Sequence, residues 1–349
     1  MPREQKIPFT RLLSKKQFLA VGAFFALVFA LLLYVFFSPN HFKTKSPHLI
    51  VINKGDSFFY LPKRLKDEGI IPRELPLKIA AFLLGGAERI IPGRYRIPDG
   101  ISYIRLAEML VRGEGDKQVL AIIPDGASTE SIAKRLAALN ICQRDSFYSY
   151  YRSLGITDKY KIKGDSLIGY LMPGTYTFYE RSSPDEIIDT LLRSFELFFD
   201  SDKEKLSANL GLTKWQVTTL ASIVNGETKK ESEMPAIASV YLNRLRTGMK
   251  LQADPTLQFV RGGAWGRVDS QLLKKESKYN TYKYTGLPPG PINNPGKPAI
   301  NAVLFAVQSN YLFFVADGTG GHSFSKNYAE HKKKAAEYIK RVYGKAGKK

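Results

Sequence analysis

Three rhythms of apolar and polar positions run along this chain. The first is unbroken: Phe18 to Phe37, FLAVGAFFALVFALLLYVFF, carries no charged residue and matches the roughly 20 apolar residues a helix needs to cross a bilayer. Arg3, Lys6, Arg11, Lys15 and Lys16 precede it. The positive-inside tendency therefore predicts a cytoplasmic tail over 1–17, a transmembrane helix over 18–37 and everything from Ser38 outside the cytoplasm. Lys43 and Lys45 beyond the run weaken that asymmetry slightly. The run is too long for a signal peptide, and SPNHF after it offers no small-x-small cleavage site, so an uncleaved anchor is expected.

The second rhythm repeats. Leu49 to Ile70 (LIVINKGDSFFYLPKRLKDEGI) aligns without a gap on Leu120 to Ile141 (LAIIPDGASTESIAKRLAALNI). Gly55 matches Gly126, Ser57 matches Ser128, and Lys63-Arg64-Leu65 matches Lys134-Arg135-Leu136. Each copy reads as a strand, a glycine turn, a serine or threonine cap and an amphipathic helix. GRYRIPDGISYIRLAEMLVRG from Gly93 has the same strand–turn–helix order. The second copy resembles the LysM glycan-binding module. Its alternative is a small packing domain that binds nothing, and both readings stay open. The repeats delimit a domain over 38–145, followed by a larger one over 146–345. The fold class expected is α+β: an N-terminal transmembrane helix, a LysM-like strand–helix repeat domain and a mixed α/β catalytic domain.

The third rhythm has the helical period. Helical patterns cover Pro184 to Phe199, and the charged segment Ser201 to Lys205 reads as a solvated connector. An apolar helix around Trp215 then places Leu220, Ile223, Val224 and Glu227 at i, i+3, i+4 and i+7, on one face. A carboxyl against apolar walls loses hydration, and its pKa rises towards the range where a general acid works. A glutamate near a helix end is also commonly a solvated one, and the stripe alone does not separate the two. A second helix is predicted over Met234 to Thr247, with Ile237, Val240, Tyr241 and Leu245 on its apolar side and Gly248 as its stop. Gln252, Asp254 and Thr256 fall on the loop after it.

Loops dominate the last hundred residues. Tyr279-Asn280-Thr281-Tyr282 and Gly286-Leu287-Pro288-Pro289-Gly290-Pro291 come first, then a helix over Asn301 to Gln308 and a strand over Tyr311 to Val315. Asp317 to Phe324, which contains His322, closes the set. Prolines and glycines at this density shape walls of a cleft or caps of a core. Tyrosines beside asparagines suit a carbohydrate, because sugar faces stack on rings and hydroxyls need amide partners.

Composition narrows the chemistry. One cysteine, Cys142, excludes an internal disulfide framework, and with only four histidines there is no metal-ligand spacing. No Walker loop or dinucleotide fingerprint occurs, so no cofactor is expected. A net charge of +20 calls for an anionic partner. The anchor makes membrane lipid the candidate and argues against nucleic acid.

Four separated blocks carry a resemblance: ASIVNGET, ASVYLNRLRTGMKLQADPT, YNTYKYTGLPPGPINNPG and YLFFVADGTGGHSFS. In that order the chain resembles the endolytic murein transglycosylase (YceG-like) family. The resemblance implies a single-pass inner-membrane enzyme that cleaves the MurNAc–GlcNAc β-1,4 bond within peptidoglycan glycan strands, near peptidoglycan synthases. In the family the ASIV run continues as Glu-Lys-Glu-Thr, and the second glutamate is catalytic; that position is Glu227. Asn225 and Gly226 depart from the pattern, and Asn-Gly favours a turn. Gly174 departs too, where the family commonly has aspartate. Glu233 is the candidate supporting carboxylate. Asn243, Gln252, Asp254, Tyr279, Asn280, Tyr282 and His322 are candidate substrate contacts. Two alternatives stay open: a hydrolytic muramidase with Glu233 or Asp254 as second carboxylate, and a non-catalytic, membrane-tethered glycan-binding scaffold.

Overall fold

A computed structural model describes residues 14–41, 47–86, 90–162, 164–263 and 266–343. The chain divides into two compact units, Met1–Gln118 and Val119–Lys349.

In the first unit, α1 (Lys15–Phe37) opens with a capping box in which Ser14 and Gln17 satisfy each other's backbone amides. No residue of α1 is buried, and it is the one helix among the described residues long and apolar enough to cross a membrane. The strand β1 (His48–Ile52) leads into α2 (Leu61–Asp67) and α3 (Glu74–Leu83), and β2 (Gly93–Ile97) returns antiparallel to β1 with Tyr95 opposite Ile50. The helix α4 (Tyr103–Arg112) is capped by Ser102 and ends on Gly113, which takes the left-handed conformation a Cβ would strain. Period-2 burial of Ile50 and Ile52 against Leu65, Leu77, Tyr95 and Leu106 forms the core. Asp116, fully buried, accepts from Arg96 at 2.9 Å.

The second unit begins on β3 (Gln118–Ile123) and continues through α5 (Thr129–Ala138), α6 (Arg144–Tyr151) and α7 (Ile156–Lys159) to β4 (Gly174–Tyr179), which pairs with β3. The aligned copies each run from a strand through helices to a second strand, with two helices (α2, α3) in the first and three (α5, α6, α7) in the second, and the third unit at Gly93 is β2 followed by α4. The boundary between compact units falls inside the segment 38–145, because the second copy packs its Ile123, Ile132 and Leu136 into the C-terminal core.

The helices α8 (Pro184–Phe198), α9 (Ser201–Asn209) and α10 (Lys214–Glu227) follow, then α11 (Met234–Arg246), α12 (Asp254–Arg261), α13 (Ser270–Lys274) and α14 (Lys297–Leu304). The hairpin of β5 (Phe313–Ala316) and β6 (His322–Ser325) and the helix α15 (Tyr328–Tyr343) complete the unit. The helices α10, α11 and α14 pack on one another through Leu220, Ile223, Ile237, Tyr241, Ile300 and Val303.

Three local expectations change. The charged segment at 201–205 is the first turn of α9, because the Asp200 carboxylate caps the Lys203 amide at 3.0 Å. The loop expected at 254–256 is the start of α12, where Pro255 suits the first turn. The helix expected at 301–308 starts earlier, at Lys297-Pro298, and stops at Leu304.

Asn294 ties this unit together. Fully buried, it accepts from the amides of Gly169 (2.8 Å) and Leu171 (3.2 Å) and donates to the Ala127 carbonyl at 2.8 Å. Asn294→Ala strands the Gly169 and Leu171 amides, while the Ala127 carbonyl keeps the Asn294 backbone amide, so a loss of about 2 kcal/mol is expected. Trp215 belongs to this unit, so urea unfolding followed by tryptophan fluorescence reads the shift.

Candidate active site

Glu227 is the last residue of α10. Thr213 and Gln216 form a capping box at the other end, and Val217 to Asn225 are all buried, so the helix meets its carboxylate already inside the protein. The helix does not break at Asn225-Gly226. A Cβ on Gly226 would stand 2.6 Å from Pro255 Cβ, so the missing side chain is what lets the first turn of α12 approach α10. That approach brings Asp254 towards Glu227. Asn225 is buried, and among the described residues neither its amide nitrogen nor its oxygen has a hydrogen-bond partner.

The Glu227 carboxyl is half-buried and accepts a 2.5 Å hydrogen bond from the Tyr241 hydroxyl. Desolvation pushes its pKa to about 7; the Tyr241 bond opposes the rise, the Asp254 charge adds to it and Arg244 opposes it. The Tyr241 hydroxyl is itself held well above the usual phenol value by burial and by the adjacent carboxylate. The phenol therefore keeps its proton at neutral pH and donates it to Glu227 whether that carboxyl is ionised or protonated.

Arg244 lies one turn after Tyr241 on α11. It donates from Nε to the Leu312 carbonyl (2.7 Å) and from Nη1 to the Leu251 carbonyl (2.5 Å), over the Phe313 ring. It braces the strap 251–253, in which the Gln252 amide donates to Thr281 O and the Ala253 amide to Thr281 Oγ1. Gln252 is exposed and has φ of +50°, a left-handed backbone that a non-glycine residue adopts only under local constraint. Asp254, exposed, accepts from the Tyr282 hydroxyl at 2.5 Å. Burial, followed by the Asp254 carboxylate, raises the Tyr282 phenol.

Glu233 is engaged elsewhere. Its Oε2 lies 2.7 Å from His322 Nδ1, and its Oε1 accepts the His322 amide at 3.3 Å. The turn before His322 is closed by Asp317, which accepts from the Thr319 and Gly321 amides and is thereby lowered to about 2. One aromatic ring separates this pair from the first cluster: Phe314 meets Tyr241 edge-on at 5.9 Å and His322 edge-on at 5.4 Å.

The structure therefore groups Glu227, Asp254 and Tyr282 with Tyr241 and Arg244, and pairs Glu233 with His322. The Asn243 amide donates to the carbonyls of Ser309 (2.8 Å) and Tyr311 (3.0 Å). Asn280, fully buried, donates to Leu273 O and Lys275 O. Tyr279 packs on the Phe259 ring at 4.7 Å. These three shape loops. Tyr241 and Arg244 were not among the expected site residues; Tyr241 reads in the sequence as part of an apolar stripe, and nothing in that stripe shows a hydroxyl reaching another helix. The 740 Å³ cavity on α8, lined by Tyr176, Arg193, Phe198 and Lys297 among others, shares no residue with this cluster. Among the described residues no group of three or more His, Cys, Asp or Glu side chains could hold a metal.

Residues 50–337 match the YceG-like family. The chain belongs to that family. It is 36% identical over 174 residues to the endolytic murein transglycosylase of Bacillus subtilis (strain 168), covering 50% of this chain and 48% of the relative. It is 28% identical over 290 residues to the endolytic murein transglycosylase of Streptococcus pneumoniae (strain ATCC BAA-255 / R6), covering 71% of this chain and 50% of the relative. The chain thus spans about half the length of the curated relatives it matches. The crystal structure of a yceG-like protein from Listeria monocytogenes superposes with a TM-score of 0.57 at 26% identity, over 82% of this chain and 98% of that one.

A carboxyl whose pKa is raised on folding lowers stability once it ionises. That cost is absent below the unfolded value near 4.5 and complete above about 7. Glu227→Gln keeps an acceptor for Tyr241 and removes the charge. It should leave stability unchanged below pH 4.5 and raise it increasingly towards pH 7, by up to about 3 kcal/mol. Denaturation midpoints of the two proteins across pH check the sign. Tyr241→Phe removes the bond that favours the ionised form, so the Glu227 carboxyl should titrate above 7 in carbon NMR.

Proposed function

We propose that this chain is a membrane-anchored endolytic lytic transglycosylase that cleaves the MurNAc–GlcNAc β-1,4 bonds of peptidoglycan and leaves 1,6-anhydroMurNAc ends. The observation that carries the reading is the Glu227 carboxyl, half-dry, bonded to Tyr241 and raised to about 7. An ordinary glycosidase needs two carboxylates at a defined separation. A transglycosylase needs one, because the sugar supplies the nucleophile.

Protonated Glu227 donates its proton to the glycosidic oxygen as the bond to C1 breaks. The resulting carboxylate takes the proton from the C6 hydroxyl of the same muramic acid, and O6 closes on C1. The proton inventory balances, and Glu227 ends as it began. Tyr241 orients the carboxyl throughout, and the Asp254 charge favours the protonated form that starts the cycle. Gln252, next to Asp254 on the braced strap, and Tyr282 are the remaining candidates for glycan contact.

The apolar helix α1 supports a single-pass anchor in the inner membrane with the N-terminus in the cytoplasm, and the strand–helix–helix–strand order of β1, α2, α3 and β2 supports LysM-like glycan binding. Work beside peptidoglycan synthases to limit nascent strand length fits this arrangement. The exposed Asp254 carboxylate, beside Glu227, favours one rival, a hydrolytic muramidase.

Digestion of purified glycan strands, with the products weighed by mass spectrometry, separates the two. Anhydro ends are expected; reducing ends mark a hydrolase. Glu227→Gln should lower turnover by about 10²–10⁴-fold while leaving the fold intact, and undiminished cleavage by that variant overturns the assignment. Activity should decline with rising pH along a limb near 7, as the acid form of Glu227 is lost.

A further inference from the structure

The first unit carries an apolar face that its own core does not use. The helix α3 turns Pro76, Leu77, Ala80 and Ala81 inward, where all four are buried. Its opposite side presents Leu75, Ile79, Phe82 and Leu83, at i, i+4, i+7 and i+8, with exposures of 65, 39, 71 and 70%. A helix of this size gains nothing from two apolar faces unless something covers each. Arg73 and Lys78 flank the stripe, with Glu74 between them paired to Lys78 (3.2 Å) and to Lys66 (3.4 Å), so the rim carries a net positive charge.

Where that face lies relative to α1 says what covers it. The α1 helix packs on α3 and α4, and Phe36 in its last turn packs against the core of this unit. The chain leaving α1 is pinned at once. Asn40, buried, donates from its side chain to Ile101 O at 2.8 Å and from its amide to the same carbonyl at 3.1 Å, and accepts the Gly100 amide at 2.9 Å. His41 adds a contact to Asp99. The unit is therefore held against the end of α1 and does not swing on a linker. A surface beside the last turn of a bilayer-spanning helix stands at the level of the lipid headgroups and upper acyl chains.

We infer that the α3 stripe of Leu75, Ile79, Phe82 and Leu83 is a lipid-docking surface that beds the first unit in the bilayer interface beside α1. Apolar side chains enter the acyl boundary while Arg73 and Lys78 meet anionic headgroups. This inference rests on the reading of α1 as a membrane anchor. Two attachments, one spanning and one interfacial, hold the unit in one orientation on the membrane, where one attachment would leave it free to rotate.

The test uses the full chain with Cys142→Ala as background, reconstituted in vesicles of phosphatidylethanolamine and phosphatidylglycerol. A single cysteine at Phe82, at Ala26 in α1, or at the exposed Lys205 carries an environment-sensitive fluorophore. Quenching by aqueous iodide should be several-fold weaker at 82 than at 205, and doxyl-labelled lipid should quench 82 and 26. Leu75→Asp with Leu83→Asp should return position 82 to iodide, with both substitutions on the exposed side and so harmless to the core. Iodide quenching at 82 equal to that at 205, with 26 still in lipid, overturns the docking surface and leaves the anchor standing. Iodide quenching at 26 overturns the anchor and the docking with it. Shielding at 82 from both quenchers, or shielding that survives the aspartates, means that protein covers the stripe and overturns the inference.

Discussion

A carboxyl group kept half out of water and still hydrogen-bonded is the constraint around which the second unit is built. Burial alone would make Glu227 an inert protonated side chain; the Tyr241 bond alone would make it an ordinary carboxylate. Together they leave it near neutrality, where giving and taking a proton cost similar amounts. That balance requires α10 and α11 to be packed tightly enough that one hydroxyl reaches one carboxyl. The packing comes from the apolar faces of α10, α11 and α14, with Asn294 holding the loops that close around them.

Gly226 shows how local sequence and tertiary contact trade against each other. A glycine in the last turn of a helix weakens it, and Asn-Gly invites a turn. The helix persists because Pro255 fills the space a side chain would take, and that contact also brings the Asp254 charge to bear on Glu227. A position that reads as a helix breaker in isolation is here the seat of a packing contact. Gln252 is the complementary case. Its left-handed backbone is held by the strap that Arg244 and Thr281 brace, so local strain sits next to the carboxylate cluster.

The duplicated strand–turn–helix segment serves two ends. One copy builds the core of the first unit, whose outer helix face is left apolar. The other gives its apolar residues to the C-terminal core and joins its turn at Ala127 to Asn294. One pattern can do both because a unit this small exposes apolar surface whichever way it folds, and what covers that surface decides its role.

Much was legible in the chain itself. The apolar run at 18–37, the gapless repeat and the period that sets Glu227 on the face of Leu220, Ile223 and Val224 are local patterns, and local patterns survive into structure because propensity and burial agree there. Asp200 as a cap and Pro255 as a helix start were equally local, but competed with readings of charge and loop composition. What tertiary structure alone decided is partnership. Tyr241 looks like part of an apolar stripe until α11 lies across α10; Glu233 looks like a second acid until His322, from a distant hairpin, pairs with it. Hydrogen bonds and electrostatic fields depend on separations in space, and no pattern along one chain records the distance between residues that only folding brings together.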